Sequence, residues 1–279
     1  MPIDNIPELY INNPKLKPEL FVYDFKMTED IIKTKVNLNM HMFSFLQTGK
    51  KQVHFAETSV LVDNKQSLLI KKGNCLWSEL LDKEEIYYCK LFFFSEQRLK
   101  EFLSKHIKHK EQPKETPSFF AIENDSYLTS YLNSLSTIAT VPSALIDNLL
   151  SVKFEELLVY LIHKYKTVFE NYLMSLIAQE EVSSFKKSVE QNIHSTLSLE
   201  EIAFLCNMSL STFKRHFIKE YKVSPGKWLR DKRLLKAKEL LEDGTLKSSD
   251  IYLDLGYSNL SNFSSAFKTK FGMSPSEVR

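Results

Sequence analysis

The feature that most constrains this chain is an internal repeat near its carboxy end. Met208–Pro225 reads MSLSTFKRHFIKEYKVSP and Tyr257–Pro275 reads YSNLSNFSSAFKTKFGMSP. Phe213 matches Phe263, Phe217 matches Phe267, Tyr221 matches Phe271, and Ser224-Pro225 matches Ser274-Pro275, always 50 positions apart. Aromatic residues at i, i+4 and i+8 place three rings along one face of a helix. Ahead of each copy runs a shorter helical segment, Leu199–Cys206 or Ser248–Leu255, followed by Asn207-Met208-Ser209 or Gly256-Tyr257-Ser258. A short helix, a three-residue turn and a second helix make a helix-turn-helix, here present twice. Two units are too few for a solenoid; joined by one long helix, they suit a bipartite DNA reader.

This pattern resembles the AraC/XylS family of bacterial transcription regulators. The resemblance is carried by Ser198-Leu-Glu-Glu-Ile-Ala203, Phe213-x-x-x-Phe217, Ser224-Pro225, Arg233-Leu-x-x-Ala237-x-x-Leu-Leu241, Asp250-Ile251, Gly256-Tyr257-Ser258, and Phe263-x-x-x-Phe267 through Phe271-Gly-Met-Ser-Pro275. It covers roughly residues 185–279, and the order and spacing of the set are what make it specific. It implies a C-terminal domain of two helix-turn-helix units behind an N-terminal cupin-like β-barrel. It also implies that positions matching Ser211, Lys214 and Arg215 approach base edges.

Within the first recognition helix, Leu210, Phe213, Phe217 and Tyr221 face inward by their spacing, leaving Ser211, Thr212, Lys214, Arg215 and Ile218 outside. The planar fork of Arg215 suits guanine O6 and N7, and Lys214 can serve a base or a phosphate. In the second, Phe263, Phe267 and Phe271 face inward. Ser261, Asn262, Ser264 and Ser265 are exposed, with Lys268 and Lys270 further on. Family members often carry Arg or Gln here. This unit is therefore expected to grip the DNA backbone, with Asn262 as its candidate base contact. The candidate DNA-binding residues are Ser211, Thr212, Lys214, Arg215, Ser261, Asn262, Ser264, Ser265 and Lys268.

Capping signals sharpen the boundaries. Ser198 with Glu201 fits a capping box, and Ser209 and Ser258 are placed to cap the recognition helices. The corresponding position before the second unit is Lys247, a poor cap at a cost of about 1 kcal/mol. Pro225 suits the start of the connecting helix and Gly244 its end. About 17 residues rise roughly 25 Å, against about 34 Å between successive major grooves. Arg233, inside the motif, is expected to make a structural pair. The expected domains are 1–170, a linker at 171–182, and 183–279. Helix-turn-helix units span about 198–221 and 247–271, and the connecting helix 225–242. A first helix is expected over Val182–Ile193.

Four prolines within residues 1–19 suggest an irregular arm. Between Leu20 and Phe94 the texture is β: Phe21–Tyr23, Met40–Leu46, Gln52–Phe55, Ser59–Val62, Ser67–Ile70 and Ile86–Phe94 are short apolar or alternating runs separated by polar breaks. They predict a sandwich or barrel; the resemblance implies the barrel. Ser95–Lys108 and Asn124–Ile138 read as amphipathic helices around a polar loop, Glu111–Pro117. Pro142 opens a longer helix whose Leu145, Leu149, Leu150, Phe154, Leu157, Leu158, Leu161, Ile162 and Tyr165 form one apolar stripe. It can pack on its own barrel or on a second subunit. In related regulators such helices form the dimer interface. Lys153–Leu158 resembles the subgroup that activates type III secretion and other virulence genes.

Chemistry beyond DNA reading finds little support. His41 and His54 could meet across a hairpin, but a metal needs three or four converging donors, so no metal or other cofactor is expected. No arrangement of catalytic residues stands out, and no Gly-rich phosphate loop is present, so an enzyme is not expected. His106, His109 and His163 receive no chemistry. Three cysteines, none in C-x-x-C, read as buried reduced thiols. No apolar run of 18 residues and no charged-then-apolar leader is found, so the reading is cytoplasmic rather than membrane-spanning or secreted. Residues 181–279 hold 16 Lys and Arg against 12 Asp and Glu, and the remainder 21 against 23, a mild asymmetry that points the basic part toward an anion.

The expected fold is thus two-domain α+β: a cupin-like barrel with flanking helices, then an all-α DNA-binding domain. The expected function is sequence-specific transcription regulation, by activation. Control would come through the N-terminal domain, from a small molecule or a partner protein. Double-stranded DNA is the partner, with RNA polymerase and a second copy of the chain as further partners; no ligand-binding residue is assigned. The alternative is a cupin-type ligand-binding or enzymatic domain tethered to DNA. If a partner protein is the signal, the barrel interior should be filled by its own side chains. Phe21, Tyr23, Phe43, Phe45, Phe55, Trp77 and Phe92 are bulky enough to fill it or to line an apolar pocket.

Overall fold

The computed structural model describes residues 2–11, 17–83, 85–107, 117–178, 185–193, 195 and 197–278. They divide into two compact units, Met1–Phe55 with Ser59–Glu181, and Ala56–Thr58 with Val182–Arg279.

The first unit is built of two facing β-sheets with helices packed on one of them. Its strands are β1 (Ile3–Ile6), β2 (Leu20–Met27), β3 (Ile31–Leu38), β4 (His41–Thr48), β5 (Lys50–His54), β6 (Ser59–Val62), β7 (Gln66–Ile70), β8 (Gly73–Leu80), β9 (Tyr87–Phe94) and, after α1 (Glu96–His106), β10 (Phe119–Glu123). The helices α2 (Ser126–Thr137), α3 (Ser143–Tyr165) and α4 (Thr167–Ile177) follow. The two five-stranded sheets have the orders β1-β3-β8-β5-β6 and β10-β7-β4-β9-β2.

Strand period explains how one sheet serves two cores, since successive side chains point to opposite faces. From β4 and β9, Phe43, Phe45, Phe92 and Phe94 join Leu99, Phe102, Phe154, Leu157 and Phe169 of the helices. Their neighbours Met42, Leu46, Leu91 and Phe93 face the other sheet and meet Val36, Val53, Phe55 and Trp77. Both faces being covered, these strands read as near-continuous apolar runs.

That alternation also sorts the bulky residues expected in the barrel. Phe43, Phe45 and Phe92 lie on the helix side, while Phe21, Tyr23, Phe55 and Trp77 belong to the interior cluster. The interior is occupied by its own side chains, with Met42, Val53 and Phe93 fully buried. It also encloses an ion pair. Lys51 Nζ lies 3.0 Å from Glu79 Oε1 and 3.9 Å from the centre of the Trp77 ring, with no exposure of the Lys51 side chain. Removing either partner of such a pair would leave an uncompensated buried charge.

Several expectations need correction. The arm at residues 1–19 is only partly irregular: β1 runs parallel to β3, and Ile6 is buried. Pro2 and Pro7 flank this edge strand rather than interrupt its ladder, as proline must. Strands β3, β8 and β10 were not in the expected set. In β3 the register shifts between Ile31 and Thr34, and Lys33 adopts a positive φ of 55°, so alternation is broken. β8 carries the buried polar residues Ser78 and Glu79, which disguise it. β10 pairs with β7 between the expected loop and the next expected helix, where no element was assigned. The expected linker 171–182 opens as helix α4, whose Tyr172, Leu173 and Leu176 are buried in the helix-side core; Tyr172 donates its hydroxyl to the Leu69 carbonyl at 3.0 Å. Residues 179–182 of that stretch, 111–116 of the polar loop, 12–16 of the arm, Lys108 and His109 lie outside the described residues. The single stripe expected on α3 is divided: Leu150, Phe154, Leu157, Leu158 and Leu161 are buried, whereas Leu145 and Leu149 are exposed.

His41 is a core residue. Its Nδ1 accepts from the Lys72 amide at 3.2 Å, its ring lies 5.5 Å from that of Phe94, and burial pulls its pKa down to about 4. No group of three or more His, Cys, Asp or Glu side chains able to hold a metal ion occurs among the described residues. All three cysteines are free; burial pushes the thiol of Cys75 up to about 12 and that of Cys206 to about 11, which leaves them protonated at neutral pH. No helix among the described residues is long and apolar enough to cross a membrane.

The second unit is all helical: α5 (Phe185–Gln191), α6 (Leu199–Leu205), α7 (Leu210–Tyr221), α8 (Pro225–Glu242), α9 (Ser248–Ile251) and α10 (Leu260–Phe271). Of the first helix expected over Val182–Ile193, residues 182–184 lie outside the described residues, and α5 ends two residues early.

Candidate nucleic-acid interface

The first helix-turn-helix is set by three local devices. Ser198 Oγ accepts from the Glu201 amide at 3.2 Å, while Glu201 Oε2 accepts from the Ser198 amide at 2.7 Å, closing a capping box on α6. At the other end Met208 N–H reaches the Ala203 carbonyl at 2.9 Å and Asn207 N–H the Phe204 carbonyl at 3.0 Å. Asn207 has φ 56°, so the helix stops in a left-handed C-cap. Ser209 then caps α7, accepting from the Thr212 amide at 3.2 Å. The aromatic spine turns inward as its spacing requires. Phe213 and Phe217 are buried, Phe217 and Tyr221 lie 4.4 Å apart, and Trp228 of α8 meets Phe217 edge-on at 5.5 Å.

The second unit repeats this plan with two differences. Its leading helix α9 is only four residues, shorter than the expected Ser248–Leu255. Lys247 cannot accept with its ammonium; only the reverse half of a box forms, its amide donating to Asp250 Oδ2 at 2.8 Å. The stop is again left-handed, at Gly256 with φ 77°, and Tyr257 N–H bonds the Tyr252 carbonyl at 3.0 Å. One more residue then separates the stop from the next cap. Ser258 is therefore not the cap. Asn259 is, its Oδ1 accepting from the Asn262 amide at 2.8 Å. Helices α7 and α10 nevertheless begin and end 50 positions apart.

Helix α8 joins the units, and Arg233 fastens both to it. Its Nη2 donates to the Ser195 carbonyl at 2.8 Å, ahead of α6. Its Nη1 lies where a Cβ on Gly256 would come within 2.7 Å. Glycine is thus required at 256 twice over, by its φ and by the guanidinium against it. Arg233 does have a structural role, but with carbonyls rather than a carboxylate. Lys270 is likewise committed, 2.9 Å from Asp231 of α8. Leu234, Ala237 and Leu241 pack under Phe263 and Phe267.

The outward faces carry the candidate residues. Ser211, Thr212, Lys214 and Arg215 are exposed on α7; Ser261, Asn262, Ser265 and Lys268 are exposed on α10, and Ser264 is half-buried. The Thr212 hydroxyl also accepts from Ser209 Oγ at 2.9 Å, tying it to the cap. Lys214, Arg215 and Lys268 have no ion-pair partner among the described residues. Ile218, 49% exposed, shares the face of Lys214 and Arg215 and was given no role from sequence.

Family models match both units: an ExsA N-terminal regulatory domain over residues 41–172 and a helix-turn-helix domain over residues 202–279. Both matches agree with the resemblance to the AraC/XylS family. Similar proteins include the thermoregulatory protein LcrF of Yersinia pestis, 33% identical over 132 residues, or 47% of this chain and 48% of the relative. The HTH-type transcriptional regulator ExsA of Pseudomonas aeruginosa is 31% identical over 110 residues, 38% of this chain and 40% of the relative. The chain spans about half the length of the curated relatives it matches, or less. Among solved structures, the C-terminal domain of AraT, a response regulator from Geobacillus stearothermophilus, is 30% identical with a TM-score of 0.33, over 36% of this chain and 87% of that one.

Proposed function

We propose that this protein is a sequence-specific regulator of transcription that acts on cytoplasmic double-stranded DNA through α7 and α10. The observation that carries this reading is the pairing of a buried aromatic spine with an exposed, unpaired Lys214 and Arg215 on α7. A helix held so firmly by one face offers the other to a groove. Helix α8, 18 residues long, rises about 27 Å, close to one turn of the duplex. Arg215 reads a guanine, Lys214 a base or phosphate, and Ser211 and Thr212 support them at the helix start. On α10, Asn262 makes the base contact, while Ser261, Ser264, Ser265 and Lys268 follow the backbone. A gel-shift titration of the full chain against an oligonucleotide selected from a random pool tests this. Selective binding over a scrambled duplex supports it, and equal binding to both refutes it.

The sign of regulation is activation, in company with RNA polymerase; a relative from Yersinia enterocolitica, 34% identical over 94 residues, is described as a virulence regulon transcriptional activator. Control through the N-terminal unit is better served by a partner protein than by a small molecule. The packed interior, with Phe93 and Trp77 in place and Lys51 neutralised by Glu79, favours that choice. The exposed Leu145, Leu149, Val152 and Val159 recur on α3 at steps of three, four and seven, which suits pairing with a second copy.

A further inference from the structure

The exposed face of α7 holds one residue with no polar work to do. Ile218 lies in mid-helix with 49% of its surface open. At about 100° per residue, Ser211, Lys214, Arg215 and Ile218 follow i, i+3, i+4 and i+7, and so share one stripe about 100° wide. A lone exposed aliphatic side chain is common and needs no explanation by itself. This one is different in its company. It stands between Lys214 and Arg215, which have no ion-pair partner among the described residues, on the face that the proposed function turns toward DNA. The shared scaffold does not require it either. Its counterpart 50 positions on is Lys268, although α10 has the same buried spine.

Recognition helices of the homeodomain type read the major groove from four positions with this same spacing. The apolar feature that base edges offer there is the C5-methyl group of thymine. We infer that Ile218 reads a thymine through its 5-methyl group, beside the base pair that Arg215 reads. The inference rests on the proposed DNA-reading role of α7 and adds to it a methyl contact that the hydrogen bonds of Lys214 and Arg215 cannot make. Lys268 gives α10 no such contact, so methyl sensitivity belongs to one half-site.

The test uses the full chain and the duplex it selects from a random pool, with each thymine replaced in turn by deoxyuridine. One replacement in the α7 half-site should weaken wild-type binding about fourfold, the worth of one buried methyl. Ile218→Ala should weaken binding to the thymine duplex by a similar factor and become indifferent to that replacement, so that both changes together cost no more than either. Ile218→Val should retain part of the sensitivity. Independent losses that multiply to about sixteenfold, a duplex with no sensitive thymine, unchanged affinity of Ile218→Ala, or a lowered melting temperature for that variant would each overturn the inference. If Arg215→Ala still loses selective binding in those cases, the DNA-reading role survives without it. If the wild-type chain selects no sequence, both fall together.

Discussion

Helices α7 and α10 have the same length and the same buried face, and differ on the face turned outward. Phe213 and Phe217 answer to Phe263 and Phe267, and all four are essentially without exposure. On the other side Ser211 and Thr212 answer to Ser261 and Asn262, but Lys214, Arg215 and Ile218 answer to Ser264, Ser265 and Lys268. Packing against α8 explains the first agreement, because a ring removed from a close-packed core leaves a cavity. Thr212 is tied to the Ser209 cap and Ser264 is half-buried, but Lys214, Arg215 and Ser265 are exposed, and their divergence fits the division of labour proposed for the two units. The first unit carries Lys214 and Arg215, without ion-pair partners among the described residues; the second carries Lys268 at the end of a serine-rich face. The turns differ too, since one extra residue after Gly256 moves the cap to Asn259 without changing where α10 begins relative to α7.

The comparison can be broken or sharpened in four ways. The largest effect should be common to both units. Phe217→Ala and Phe267→Ala should each destabilise the domain by about 3–5 kcal/mol in chemical denaturation; a mild effect in one unit would show that the spines are not equivalent. Next, Arg215→Ala should weaken binding to the selected duplex by about 1–3 kcal/mol and relax specificity at one position. Ser265→Ala, at the matching site, should stay within about 0.5 kcal/mol; equal losses would erase the proposed asymmetry. Third, Ser209→Ala and Asn259→Ala should each cost about 1 kcal/mol of stability by thermal melting, and Ser258→Ala close to nothing. A loss at Ser258 matching that at Asn259 would return the cap to the position the sequence suggests. Smallest, Lys268→Ala should weaken all DNA sequences alike and lower the salt slope of binding by about one. A sequence-dependent loss would make Lys268 a base reader.

How far the sequence could be read depended on whether a residue's surroundings were local. The aromatic spines, the capping box at Ser198 and the connecting helix all follow from short spacings, and they were legible. The role of Asn259 was hidden because Ser258 and Asn259 are both good caps, and only the Gly256 turn decides between them. Strand β3 escaped because a bulge near Lys33 breaks the period that would reveal it. Strand β8 escaped because Lys51, which neutralises Glu79, is distant in sequence. The place of Arg233 inside its motif suggested a structural role. Its partners, three backbone carbonyls at residues 193, 195 and 197, leave no trace in side-chain identity. The outward residues of α7 and α10 were found by periodicity alone, which also placed Ile218 among them without saying what an aliphatic side chain would do there.

The most direct measurement is a selection of duplexes from a random pool by the full chain, followed by footprinting on the winning sequence. The account predicts two protected patches about one helical turn apart, the one under α7 with fixed bases and the one under α10 nearly free in sequence. Selection of no sequence at all, or equally strict preference in both patches, would contradict it.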